Sequence, residues 1–274
     1  MKKHPKSIFK IRQGRKLDEV TDYTELSYED YINSNAPNRI GLLYIHGFSS
    51  TAHSMRYLAE QTQDAVYMTS VPLLTGHGTS PEDMKNSTRD DWYASVEKAY
   101  INMQSQCDHV MVIGQSMGGL LATLLASRHL EIDHLILVAP AFYPSRLLNL
   151  SPFLTPTLSL LGVHYLYGIG GNIKSKSAYE ITYDKIPVKS HLELHRLCQE
   201  ALSTLPKLKT PTSIVASTHD RVISARGIRR AFAQMNKENK NLYWVENSNH
   251  VISLDNDKDK IVEIIQNVLK KIED

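Results

Sequence analysis

From residue 40 onward, short unbroken apolar runs alternate with longer segments whose apolar residues recur every three or four positions. "RIGLLYIHG" (39–47), "AVYMTSVPL" (65–73), the run at 109–115 and "HLILVAP" (134–140) read as strands. Between them, "TAHSMRYLAEQT" (51–62), "STRDDWYASVEKAYINMQSQ" (87–106) and the segment from 117 read as helices. The second of these opens on a capping box, Thr88 with Asp91 three residues on, and carries the stripe Trp92, Val96, Ala99, Tyr100 and Met103. Strands that are apolar throughout, rather than at every second position, are buried on both faces. The pattern therefore predicts an α/β protein with a mostly parallel central sheet and helices on both faces.

The rhythm stops near Ala141 and returns at about residue 207. It resumes with the strand "TSIVAST" (212–218), the helix "SARGIRRAFAQMN" (224–236) and the strand "NLYWVE" (241–246). A last helix presents Ile261, Ile264, Ile265, Val268, Leu269 and Ile272 on one face. Three segments are expected: a polar, tyrosine-rich segment 1–39 forming a hairpin or an arm; a core of 40–140 and 207–274; and an insertion, 141–206, of cap size.

The composition narrows the function classes. With 274 residues, 42% hydrophobic, 22% charged and a net charge of +2, nothing favours nucleic acid or an anionic membrane as a partner. The start is basic, but Lys10, Arg12, Arg15 and Lys16 interrupt any apolar signal core, and no apolar run approaches the roughly 20 residues of a membrane span. A cytoplasmic location is expected. The two cysteines, Cys107 and Cys198, lack metal-ligand or CxxC spacing and read as free thiols.

The candidate chemistry sits where strand and helix meet with almost no loop. Gly114-Gln115-Ser116-Met117-Gly118 matches G-x-S-x-G in a strand–turn–helix context, the nucleophile elbow. So tight a turn strains Ser116, and glycines at 114 and 118 remove the side chains that would clash. The Ser116 hydroxyl is then lifted above the carboxyl end of its strand, and the N–H of Met117, at a helix N-terminus, faces the same place. A serine needs a base and the base an orienting acid. With this elbow the chain order is Ser, then acid, then His. Asp220 in "STHDRVIS" and His250 in "ENSNHVIS" both follow a predicted strand. Asp255 and Asp257 read as N-terminal charges of the last helix, and His219 as structural. A second oxyanion donor is expected after an early strand, where "YIHGFSS" offers the N–H of Phe48, with Gly47 allowing close approach and His46 shaping the loop.

Taken together, "IHGFSS", "LLTGHGTSPEDM" with "TRDDW", "GQSMGG", "STHDRVI" and "SNHVI" resemble the bacterial carboxylesterase and monoacylglycerol lipase family of α/β-hydrolases over residues 40–272. The resemblance implies Ser116 as nucleophile, Asp220 and His250 as its partners, and Phe48 and Met117 as oxyanion donors. It also implies the α/β-hydrolase fold with a small inserted cap over an acyl pocket, and no cofactor or metal. The expected reaction is hydrolysis of small-molecule carboxylic esters of short to medium acyl chain, including monoacylglycerols, through an acyl-enzyme on Ser116. An acyl thioesterase or acyltransferase would use the same three residues. A hydrolase-fold protein that binds a ligand without turnover is the reading from another class, and an intact Ser, Asp and His in order speaks against it.

Four further motifs hold none of these site residues. "GHG" (76–78) is either turn chemistry or an active-site loop. His191 and His195 of "HLELH" have metal-pair spacing but no third ligand, so a packed helix is expected. "GIGGNIKSK" (168–176) lacks P-loop spacing and reads as a cap loop, and "FYPSRLLNLSPFLTPTLSLL" (142–161) as cap core with some residues facing the pocket.

Overall fold

The structure, a computed structural model, describes residues 14–16, 26–144, 157–158, 160–167, 173–236 and 239–273. Its centre is a seven-stranded sheet built from β2 (Tyr31–Ile32), β3 (Ile40–Ile45), β4 (Met68–Ser70), β5 (His109–Gln115), β6 (His134–Val138), β10 (Thr212–Ser217) and β11 (Lys240–Val245), in the order β11-β10-β6-β5-β3-β4-β2. Every neighbouring pair is parallel except β2 with β4. Residues before 40 thus contribute an edge strand. Four short strands lie outside this sheet: β1 (Gly14–Lys16), paired parallel with β8 (Glu180–Thr182), and β7 (Tyr165–Tyr167), paired antiparallel with β9 (Lys185–Pro187).

The unbroken apolar strands divide their side chains between two cores. Leu43 and Ile45 of β3, Val110 and Val112 of β5, and Leu135 and Leu137 of β6 face one layer. That layer holds α3 (Arg89–Gln104), α4 (Met117–Arg128), α5 (Val188–Thr204) and α6 (Ala225–Gln234). The intervening residues Leu42, Tyr44, Met111, Ile113, Ile136 and Val138 face α1 (His53–Thr62) and α7 (Lys258–Glu273). Strands buried on both sides read as apolar throughout for this reason. The capping box expected at Thr88 and Asp91 is present, and the stripe behind it buries Trp92, Val96, Tyr100 and Met103. α4 sits between sheet and helices, with every residue from Met117 to Ala126 buried.

Two elements differ from the sequence pattern. The strand expected over 65–73 shortens to β4, because Pro72 carries no N–H for a ladder and the chain turns into a loop whose Leu74 N–H is bonded by His46. The second difference lies in 141–206. Its last helix, α5, lays Leu197, Cys198 and Ala201 into the same core as α3 and α4, so this stretch shares an apolar layer with the sheet domain. Residues 145–156, 159 and 168–172, which carry most of the apolar stretch after Phe142 and the "GIGG" loop, lie outside the described residues, as does most of 1–25. Cys107 and Cys198 are buried free thiols. Among the described residues no helix is long and apolar enough to cross a membrane.

Candidate active site

Chain order reverses between β3 and β5: from β3 the chain goes to β4 on one side, then crosses back to β5 on the other. Loops leaving neighbouring strands at such a point diverge and open a crevice at the strand carboxyl ends. Ser116 ends β5, Phe48 follows β3, Asp220 follows β10 and His250 follows β11, so all four loops rise on that side.

Ser116 has φ 54° and ψ −112°, a conformation a side-chain-bearing residue adopts only under constraint. The constraint is steric and bonded. A Cβ on Gly114 would stand 2.3 Å from the Gly118 carbonyl oxygen, and one on Gly118 would stand 2.1 Å from that of Ile45. The Ser116 N–H donates to Val138 O at 2.9 Å, and its carbonyl accepts from the N–H groups of Gly119 and Ala141 at 3.0 and 3.2 Å. Ser116 is also the one partly exposed residue between Val110 and Ala126.

The hydroxyl meets the imidazole of His250, with Oγ 2.9 Å from Nε2. On the far side of the ring, Nδ1 lies 2.7 Å from Asp220 Oδ2. A carboxylate can only accept, so Nδ1 carries the proton and Nε2 is free to accept from the serine. Asp220 is held in turn: its Oδ1 accepts from the N–H groups of Val222 and Ile223 at 2.7 and 2.9 Å. Burial by itself would lower the His250 pKa. The charge and hydrogen bond of Asp220, with a smaller contribution from the Glu180 carboxylate, outweigh it, and the net shift is upward. The site thus stabilises an imidazolium when one forms.

The loop after β3 lies against Ser116. A Cβ on Gly47 would come 3.5 Å from Ser116 Cβ, ordinary contact, so glycine there keeps space open over the serine and relieves no clash with the protein. Among the described residues, neither the Phe48 nor the Met117 N–H donates to a protein acceptor. His46 shapes this loop: Nδ1 donates to Gly47 O at 2.9 Å and Nε2 accepts from Leu74 N–H at 3.1 Å. Burial lowers its pKa to about 4, so it stays neutral. His77 of "GHG" sits between Gly76 and Gly78, both at positive φ, so the turn reading holds. Its ring also packs on those of His46, Phe48 and Trp92, which puts that turn beneath the Phe48 loop. Burial and the neighbouring His46 push it down to about 3.

Of the remaining motif residues, His191 packs its half-buried ring 5.4 Å from that of Phe48, and desolvation lowers its pKa to about 4. Among the described residues no cluster of three metal-ligating side chains exists. The His219 ring meets Thr218 Oγ1 at 3.2 Å and its N–H donates to Ser217 Oγ at 3.0 Å, away from the Ser116–His250 pair.

Three residues near the site were not recognised from sequence. Gln115, inside the motif, donates from Nε2 to His250 O at 3.0 Å and accepts from Ser253 N–H at 3.4 Å. Asp255 and Asp257, expected as charges at the start of the last helix, are buried carboxylates turned back onto the His250 loop. Asp257 Oδ2 accepts from Asn247 N–H and Ser248 Oγ, both at 2.8 Å, and Asp255 Oδ2 from Asn249 N–H at 2.8 Å. Their reach runs backwards across the loop, so no helix-start rule would have found it.

The profile of the family described as "Serine aminopeptidase, S33" matches residues 36–257. A thermostable monoacylglycerol lipase of Bacillus sp. (strain H-257) is 34% identical over 237 residues, covering 86% of this chain and 91% of that protein. A carboxylesterase of Bacillus subtilis (strain 168) is 23% identical over 238 residues, covering 85% and 93%. A solved structure from work on two metagenome-derived lipolytic enzymes, LipS and LipT, superposes with a TM-score of 0.81 at 33% identity, covering 89% of this chain and 97% of that one. The sheet order, the elbow and these matches agree: the chain has the α/β-hydrolase fold and belongs to the serine aminopeptidase S33 family, among relatives that include monoacylglycerol lipase and carboxylesterase.

Proposed function

We propose that the protein is a serine hydrolase of carboxylic esters, with Ser116 as nucleophile, His250 as general base and acid, and Asp220 as its orienting carboxylate. The reading rests on one observation above the others: a strained, partly exposed serine whose Oγ is 2.9 Å from an imidazole nitrogen, the other nitrogen of that ring being 2.7 Å from a buried carboxylate. His250 Nε2 takes the proton as Oγ attacks the ester carbonyl. The oxyanion forms toward the N–H groups of Phe48 and Met117, which have no protein acceptor among the described residues to give up first. His250 then hands its proton to the leaving alcohol, and water repeats the two steps on the acyl-enzyme. Asp220 keeps the imidazole in the right tautomer and stabilises its charged form. The chemistry uses only side chains and backbone N–H groups, and no step calls for a cofactor.

Small acyl esters of short to medium chain, monoacylglycerols among them, are the proposed substrates, supported by the names of the relatives and by a match that covers 91% of the Bacillus lipase. A panel of p-nitrophenyl esters from two to sixteen carbons, run beside an aminoacyl p-nitroanilide and an acyl thioester, tests this. The expected outcome is ester turnover with a chain-length optimum, abolished in Ser116→Ala. Faster turnover of the anilide or the thioester would reassign the substrate class and leave the nucleophile in place. A folded protein inactive on all three would overturn the proposal.

A further inference from the structure

Asp255 is 1% exposed, and its side chain carries four hydrogen bonds from backbone amides. Oδ2 accepts from the N–H of Asn249, the residue before His250, at 2.8 Å, and from the N–H of Lys174 at 2.7 Å. Oδ1 accepts from the N–H of its neighbour Asn256 and from that of Ser175, both at 2.8 Å. Two of the four donors therefore belong to the stretch inserted between residues 141 and 206, and one to the loop that carries the proposed base. The preceding Ile173 is buried, and the Lys174 ammonium reaches Glu246 O at 3.4 Å, so the segment is seated against the same loop on both sides of these bonds. A carboxylate buried in this way is stable because all its lone-pair positions are filled, and removing it leaves four amides to find other partners. They would do so by moving apart.

We propose that Asp255 is a positioning residue: it fixes the height of the His250 loop above Ser116 and makes that height depend on the seating of residues 174–175 of the insertion. A change in the insertion that lifts this segment would then reach the base directly, through two hydrogen bonds on one oxygen. The inference rests on the reading of His250 as the base. A displacement of a catalytic group by about 1 Å can cost about 100-fold in rate, so the expected signature is in kcat and leaves KM alone.

The test compares full-length wild type, Asp255→Asn and Asp255→Ala on p-nitrophenyl butyrate, with active sites counted by labelling to completion with a fluorophosphonate. Asparagine keeps one acceptor oxygen and alanine none. Per labelled site, kcat is expected to fall about 10-fold in the first and about 100-fold in the second, with KM within about threefold of wild type. A residue that only held the fold together would lower the melting temperature and the number of labelled sites without changing kcat per site, and that result in both variants would overturn the proposal. Should neither variant fold, amide hydrogen exchange on the wild type decides. The N–H groups of Lys174, Ser175 and Asn249 are expected to open together with one protection factor. Exchange of the first two more than about tenfold faster than the third would overturn the coupling, since bonds to a shared carboxylate protect together. A wild-type chain that turns over no ester, or labels elsewhere than Ser116, would refute the ester-hydrolase reading and leave the exchange result standing.

Discussion

Ser116 and His250 face each other across 2.9 Å, yet their backbones are held by opposite means. The serine corner is held by what is missing. Glycines at 114 and 118 let strand, helix and the end of β3 approach so closely that a single Cβ would collide with a main-chain oxygen. The histidine loop is held by what is added. Asp255, Asp257 and Gln115 reach into it with hydrogen bonds to the main chain around 247–250, and Ser217 Oγ donates to Ser248 O at 2.5 Å. Close packing cannot be adjusted by degrees, whereas a hydrogen-bonded loop can shift when one acceptor changes. Ser116 is thus a fixed point, and His250 is the adjustable partner.

Substitutions on each side should break that contrast in different ways. The largest effect is expected from Ser116→Ala, which leaves the corner intact: kcat should fall by about 10⁶ with an unchanged melting temperature. Next is Asp220→Asn, whose amide would present N–H to Nδ1 and force the wrong tautomer, lowering kcat by about 10⁴. This variant also carries a signature in pH. The proposed base works when neutral, and the His250 pKa stands above its ordinary 6.5, so wild-type activity is expected to be lost as pH falls through a value higher than 6.5. Without the Asp220 charge, burial dominates, and the acid limb of kcat/KM should move to lower pH.

Gly118→Ala attacks the packed side. A methyl 2.1 Å from the Ile45 oxygen has no room, and a loss of about 3 kcal/mol in unfolding free energy is expected from denaturant titration. Asp257→Ala attacks the bonded side more gently. It removes the acceptor for Asn247 N–H and Ser248 Oγ without touching the insertion, and should cost about 2 kcal/mol in stability while kcat per active site drops less than in Asp255→Ala.

A last effect, on stability and not on rate, separates the histidines themselves. Burial holds His46, His191 and His134 at about 4 and His77 at about 3, whereas His250 is raised. For the four lowered groups the unfolded chain takes up protons near pH 6.5 that the folded chain refuses until about 4 or 3. The stability they confer is full above 6.5 and is lost as pH falls through that window. His250 contributes with the opposite sign, favouring the fold below 6.5 and losing that contribution as pH rises through its raised pKa. Four against one predicts a melting temperature that falls steadily from pH 7 to pH 4. A flat profile would mean that these rings are protonated in the folded state.

The same contrast explains what could be read from the sequence. Steric demands are local: a corner that excludes side chains writes its glycines within two residues of the serine, and strands buried on both faces write continuous apolar runs. The sheet, the capping box on α3, the elbow and the order Ser116, Asp220, His250 were legible for that reason. Hydrogen-bonded support is non-local and written in common residues. Asp255 looks like any acidic residue before a helix until the main chain of 174–175 is brought to it from about eighty positions away. The aromatic cluster of His77, His191 and Trp92 around Phe48 was equally hidden, because its members come from three separate segments and nothing in the motifs that carry them shows that they meet. β2 escaped notice because two residues are too short to show any period.

The proposed roles of Ser116 as nucleophile and His250 as its activator can be read in one reaction: treatment of the full-length protein with a fluorophosphonate, followed by mass spectrometry of the digested chain. One adduct per chain is expected, on the peptide bearing Ser116, formed at least about 1,000-fold more slowly in a folded His250→Ala variant. Labelling of a different serine, or a labelling rate unchanged by His250→Ala, would contradict these roles.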